Sequence, residues 1–302
     1  MRGETRGFTA TGDQDGRRLD RVLRGMYRDV PLGAIMGAIR RGEVRVNGAK
    51  GRCDRRLAAG EEVHVPWSLP GAARAVSAGH CEGTAERLRT LLRNDDVWIV
   101  DKPAGVLSQP DRSTGDSVIT RAWSELSWER VDFRPALIHR LDRNVSGVMA
   151  IAMNSPTLRL LSGLMRESLV RKIYRAIVRG VPPEMGEVDG PILKDGSSNT
   201  VAVDDAGRRA LTRYRRISSD GRRALVELEL VTGRPHQARA HMSSIGHPIL
   251  GDAKYGGDAA RRLFLHARSL EFPNLPDMPP TLAGVLVRSE MPGEFVNVLA
   301  CS

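Results

Sequence analysis

Cysteine is scarce. Cys53, Cys81 and Cys301 are odd in number, far apart, and none lies in a Cys-x-x-Cys pair. A disulfide framework and a thiolate-bound metal are therefore disfavoured, and a reducing cytoplasm is the simplest setting. Long apolar runs are missing as well. No stretch approaches the roughly 20 residues of a membrane-spanning helix, and no signal-peptide pattern opens the chain. There is no Walker loop, no G-x-G-x-x-G after a strand and no G-x-S-x-G elbow. His236 and His241 stand five apart, on different faces of a helix, so they do not form a zincin-type metal pair. The chain thus gives no sign of a nucleotide cofactor or a metal. Lysine is scarce beside arginine, so the formal charge of +10 is carried almost wholly by guanidinium groups.

What is present is a 302-residue chain with 41% apolar residues, enough for two domains and a well-buried core. The arginine excess has two readings, an arginine-rich codon bias or a polyanionic partner. Placement favours the partner. After a polar start (residues 1–18) expected to fray, residues 12–66 read as a small unit. Leu19, Val22, Leu23 and Met26 mark one helix face, and Leu32, Ile35, Met36 and Ile39 mark a second, closed by Gly42. EVRVNG then alternates and ends in a hairpin-type Asn-Gly, and LAAGEEVHVP adds a turn and a strand. Arginines fill the outward positions, Arg40, Arg41 and Arg45 among them.

Residues 67–86 are rich in Ala, Gly and Ser and read as a linker. A larger domain is expected over 87–302. Its strands are VWIV, RKIYRAIVRG, ALTRYRRI and RRALVELELVTG; its helices are SVITRAWSEL, SPTLRLLSGLMRES, HQARAHMSSIG and, near the end, PGEFVNVLA. Strands and helices mix without regular alternation, which favours an α+β fold over a doubly wound sheet.

One acid, Asp142, stands between Arg140 and Arg143, next to the apolar run Val148–Ala152. Neighbouring cations favour the charged carboxylate and burial opposes it; with two arginines at hand the charged form is expected to win. Such a group suits attack on carbon or proton abstraction. An ion pair that merely staples a loop is the commoner use of such a pattern.

The motifs weigh against that commoner use. H-R-L-D-R-N-V-S-G (139–147), D-K-P-A-G (101–105), K-I-Y-R-A (172–176), TGRPHQARAHMSSIGHPILGDAKYG (232–256) and LHARSLEF (265–272) occur in series. In order and content they resemble the motifs of the RluA family of pseudouridine synthases. Residues 12–66 resemble the ribosomal-protein S-four-type RNA-binding domain through R-x-L-D-x-x-L, R-x-G-x-V-x-V-N-G and a terminal G-E-x-V. Val145, Pro235, Ala238 and Ala240 depart from the family's usual Thr, Thr and larger apolar residues, the first removing a hydroxyl beside the acid.

The resemblance implies an α+β architecture. A mixed, largely antiparallel sheet flanked by helices would form the catalytic domain, behind a small N-terminal α/β RNA-binding domain. It implies isomerisation of uridine in RNA with no cofactor and no metal: the base is detached at nitrogen, turned and rejoined through carbon. Asp142 would be the essential catalyst, whether by attack on sugar, attack on base or proton abstraction. Arg239 would hold it, and Tyr174 would pack on the uracil. Lys172, on the same strand face as Tyr174, is read as support for the acid–arginine pair. Because a stacked uridine must be flipped out to meet the acid, Arg140 would enter the vacated stack. His139 is placed beside it at the RNA-facing end, although a satisfied structural histidine is its commoner fate. Tyr255 and His247 are read as loop-shaping residues. The expected partner is large-subunit ribosomal RNA, with transfer RNA as the alternative and a non-catalytic RNA-binding or ribosome-assembly factor as the rival class. A hydrolase lacks a suitable second acid. A monomer without membrane contact is expected.

Overall fold

The computed structural model describes residues 6–27, 29–67, 86–111, 114–126, 133–194 and 200–300. All of the expected linker except its end residues, Trp67 and Glu86, lies outside them, as do Cys81 and Cys301.

The N-terminal unit runs β1 (Gly7–Thr9), α1 (Leu19–Met26), α2 (Leu32–Arg41), β2 (Arg45–Val46), β3 (Ala49–Lys50) and β4 (Glu62–His64). Its sheet order is β1-β4-β2-β3. The first helix buries all four residues its periodicity marks, whereas on the second Ile35 and Ile39 are buried, Met36 is half-buried and Leu32, in the first turn, is exposed; Leu19, Val22, Leu23, Ile35 and Ile39 join Val44, Val46 and Val63 in a separate core. Asn47 and Gly48 both take positive φ, 50° and 77°, as a two-residue hairpin turn requires. The polar start is not frayed throughout. Gly7–Thr9 pairs antiparallel with Glu62–His64, because β4 otherwise leaves an edge whose backbone groups need partners.

The larger unit contains β5 (Arg89–Arg93), β6 (Val97–Lys102), α3 (Val118–Glu125), β7 (Ala136–Leu137), β8 (Ser146–Ala152), α4 (Ser155–Arg166), β9 (Arg171–Arg179) and β10 (Met185–Asp189). Then follow β11 (Ile192–Lys194), β12 (Val201–Val203), β13 (Leu211–Ser219), β14 (Arg223–Leu230), α5 (Gln237–Ser244), β15 (Leu265–Glu271), β16 (Leu286–Arg288) and α6 (Gly293–Ala300). The main sheet has the order β10-β13-β14-β9-β15-β8-β6-β5, with β16 on β15 and β7 on β8; β11 and β12 form a separate hairpin. Every pairing is antiparallel except β8 with β15, which is parallel. This is the expected mixed, largely antiparallel α+β architecture.

The run Val148–Ala152 is buried on both faces of the sheet. Val148, Ala150 and Ala152 pack with Leu161 and Leu164 of α4. Met149 and Ile151 point the other way, into the core that holds Val118 and Ala122 of α3 and Ala238 and Met242 of α5. The period of two thus distributes one strand between two helical layers. Two helix starts are capped as the chemistry demands: Ser117 and Thr120 form a capping box on α3, and Asn154 accepts from Thr157 N on α4. The two units meet where Asp13 Oδ1 accepts a hydrogen bond from Ser155 N at 2.6 Å, at the start of α4.

Candidate active site

The site forms at the N-terminal end of β8, beside its parallel partner. Ala267 of β15 stands opposite Gly147 on one side and Tyr174 on the other. Gly147 has φ of 114°, and a Cβ there would collide with the Ala267 backbone. Glycine is required for the two strands to close, and this brings the loop 139–145 up against Tyr174.

The loop is held from the opposite side by the D-K-P-A-G turn. Lys102 is fully buried, and its Nζ donates to the carbonyls of Pro103 (2.9 Å), Arg143 (2.9 Å) and Val145 (2.7 Å). Burial pushes its ammonium down to about 7, the charge of Asp142 opposing and that of Arg262 adding. Ser108 Oγ clasps Leu141, donating to its carbonyl and accepting from its N–H. Gly105 and Arg143 exchange two further bonds. The Val145 side chain belongs to the core, with 3% exposure. The hydroxyl that a threonine would bring here is replaced by apolar packing.

Asp142 stands at the mouth of this frame with its side chain 32% exposed. Its partner is Arg239 of α5, whose Nη1 donates to Oδ2 at 3.0 Å. Neither flanking arginine touches it. Arg143 donates to Gly105 O, and Arg140 is exposed with no hydrogen bond or ion pair among the described residues. Arg239 is gripped from behind by Asp252, with Nε to Oδ2 at 2.7 Å and Nη2 to Oδ1 at 2.8 Å. Burial opposes the guanidinium's charge, but the bonds to Asp252 and then Asp142 outweigh it and raise its pKa. The fork is planar and bidentate toward Asp252, which fixes the direction of its remaining N–H toward Asp142. Asp142 Oδ1 accepts no hydrogen bond among the described residues and is left for a substrate. Asp252 is the second carboxylate of the cluster. At 2% exposure, with both oxygens engaged, it is not available to work as a hydrolase's second acid.

Tyr174 is partly buried against the core, and burial, then the nearby Asp142 charge, raise its phenol pKa. It stays protonated, and its hydroxyl has no partner among the described residues. Lys172 lies elsewhere. Its charged neighbour is Glu229, the neutral His139 ring lies nearby, and no bond joins it to Asp142 or Arg239. The buried lysine that supports the acid is Lys102. His139 Nε2 accepts from Ala150 N at 3.1 Å. Burial, then Lys172, push its imidazole down to about 4, which fits a neutral acceptor. This is the geometry of a structural histidine.

The loop before α5 adds a residue that the sequence reading passed over. Gln237, fully buried, bonds Thr232, Arg234 N, Leu211 O and Thr212 and so pins the loop to β13. His236 then takes φ of 52°, and its Nε2 comes to 3.6 Å from Asp142 Oδ2. Asp252, Lys102 and His236 all lie inside quoted motifs, which was the available signal; nothing in their spacing shows that they converge. On the N-terminal unit, Arg40 and Arg45 are exposed and, among the described residues, bond only backbone carbonyls, while Arg41 is paired with Glu43 at 2.7 Å.

An acid held by a buried guanidinium, beside a protonated tyrosine and an exposed arginine, can present one carboxylate oxygen to a substrate. The RNA pseudouridylate synthase family model matches residues 96–244, the span that contains Asp142, Tyr174 and Arg239. A ribosomal large subunit pseudouridine synthase C of Vibrio cholerae is 33% identical over 275 residues, 86% of each chain. The protein of that name from Escherichia coli K12 is 34% identical over 281 residues, 87% of this chain and 86% of that one. Among solved structures, human RNA pseudouridylate synthase domain containing 4 superposes with a TM-score of 0.58 at 26% identity, over 70% of this chain and 92% of that one. The chain belongs to the RNA pseudouridylate synthase family, in the RluA branch that its motifs resemble. It is an isomerase, converting uridine in RNA to pseudouridine.

Proposed function

We propose that the chain modifies uridine in large-subunit ribosomal RNA, with Asp142 as the catalytic group. The observation that carries the site assignment is the 3.0 Å contact between Arg239 and Asp142, which leaves Oδ1 open beside Tyr174. The choice of RNA is supported by the printed names of the relatives and by the basic N-terminal unit, read as an S-four-type module.

In this reading Arg239 orients the carboxylate. Tyr174 offers its ring to the uracil. Arg140, exposed and without a partner among the described residues, fills the stack that the flipped nucleotide leaves. Arg40 and Arg45, without acidic partners among the described residues, neutralise phosphates, whereas Arg41 is partly spent on Glu43. Lys172 and His139 act at a distance, one on the sheet and one on the loop.

The test is release of tritium from carbon 5 of uridine in unmodified ribosomal RNA. Release with the RNA chain intact is expected, abolished in Asp142→Asn with RNA binding retained. A chain that binds RNA and releases nothing is the non-catalytic rival. Release from transfer RNA alone would move the substrate class.

A further inference from the structure

His236 and Tyr255 make an unassigned contact with the reaction centre. Tyr255 Oη accepts from Val201 N at 2.9 Å and lies 2.8 Å from His236 Nδ1. The phenol's single proton is free to be donated to Nδ1. In that tautomer the imidazole's own proton sits on Nε2, the nitrogen facing Asp142 Oδ2 at 3.6 Å. Tyr255 also lies under Arg239, whose Cζ is 4.9 Å from the ring centroid. The backbone at His236 is left-handed, a conformation uncommon for a residue other than glycine but one that histidine and asparagine both tolerate.

We propose that His236 is a positioning residue. With its tautomer fixed by Tyr255, it donates from Nε2 to Asp142 Oδ2 when RNA closes the site, so that Oδ2 is held by two donors and Oδ1 alone meets the nucleotide. The inference rests on the reading of Asp142 given above. At 3.6 Å the contact is too long for a hydrogen bond, as is common before a substrate tightens a site. Burial lowers the imidazole's pKa, Asp142 opposing and Arg239 and Lys254 adding, which suits a neutral ring with one fixed proton. Through Val201, the same relay ties the acid to the β11–β12 hairpin.

The test uses the full chain and ribosomal RNA tritiated at carbon 5 of uridine, with kcat and KM measured separately. His236→Asn tolerates the left-handed backbone but is too short to reach Oδ2. His236→Gln is the poorer fit to the backbone but carries an amide N–H near the position of Nε2. The asparagine variant is expected to lower kcat about 10- to 100-fold, the rate equivalent of one hydrogen bond to a charged group, with KM within about 2-fold. The glutamine variant should recover most of that loss, and Tyr255→Phe should lower kcat about 10-fold by freeing the tautomer. Equal activity of His236→Asn and wild type, equal losses for Asn and Gln, or a loss confined to KM each overturns the proposal. A wild-type chain that releases no tritium overturns the reading of Asp142 instead, and this one with it.

Discussion

Arg239 serves two carboxylates, and the structure assigns them unequal tasks. Asp252 is buried and takes two hydrogen bonds from the guanidinium; Asp142 is about one-third exposed and takes one. Asp252→Asn keeps the shape but removes the charge, leaving a guanidinium of 11% exposure with only Asp142 to neutralise it. Breaking a buried pair in this way costs about 3–5 kcal/mol. Asp142→Asn leaves Arg239 still neutralised from behind, so its cost should stay near the surface range of about 0–1 kcal/mol. For a unit of this size the first loss corresponds to about 10 °C in melting temperature and the second to no more than a few degrees. Activity should run the other way: Asp142→Asn is dead, and Asp252→Asn retains measurable tritium release. The assay is thermal unfolding of both full-length variants alongside release from ribosomal RNA. If Asp142→Asn melts as early as Asp252→Asn, or Asp252→Asn melts with the wild type, the division of labour at Arg239 is wrong.

Further outcomes follow from other parts of the frame. Gly147→Ala forces a side chain into the Ala267 backbone at φ of 114° and should abolish soluble folded protein, read by expression and circular dichroism. Lys102→Met strands three carbonyls and should cost about 2–4 kcal/mol together with most of the activity, because the loop bearing Asp142 loses its anchor. His266 is 1% exposed, and burial, partly offset by a bond with the Ser289 backbone, pushes its imidazole down from 6.5 to about 4. The unfolded chain takes up that proton first, so the stabilisation is complete above about 6.5 and fades as pH falls toward 4. It amounts to about 3 kcal/mol, and His266→Gln should flatten that slope in melting curves. Arg140→Ala should leave stability unchanged and lower kcat, while Arg40→Ala and Arg45→Ala should each reduce the salt slope of RNA binding by about 1.

Periodicity made the N-terminal helices legible because their buried residues lie on one face, and the Asn-Gly turn named its own geometry. It failed for Gly7–Thr9, Arg89–Arg93 and Met185–Asp189, which are short or half-exposed edge strands in which charged and polar residues break the alternation. It also undersold α5. Gln237, Arg239 and His241 are polar yet buried, each satisfied by a specific bond, so the helix reads as a surface one while lying at the centre of the site.

The placing of one acid among cations along the chain is resolved in a way that linear proximity hides. In a tight loop, neighbouring side chains diverge. Arg143 turns back to the D-K-P-A-G turn and Arg140 faces solvent, so neither neutralises the acid between them. The guanidinium that pairs with it comes from 97 residues away and is aimed by Asp252, a buried carboxylate with both oxygens engaged. A cation adjacent in sequence would move with the loop when RNA arrives. One mounted on a buried helix and clamped from behind stays put, and the acid's direction is then set by the core. Exchanging the two by Arg239→Gln with Arg140 intact should therefore fail to preserve activity, although the local charge around Asp142 in the sequence is unchanged. Retained tritium release in that variant would show that proximity along the chain, not the clamp, is what the acid needs.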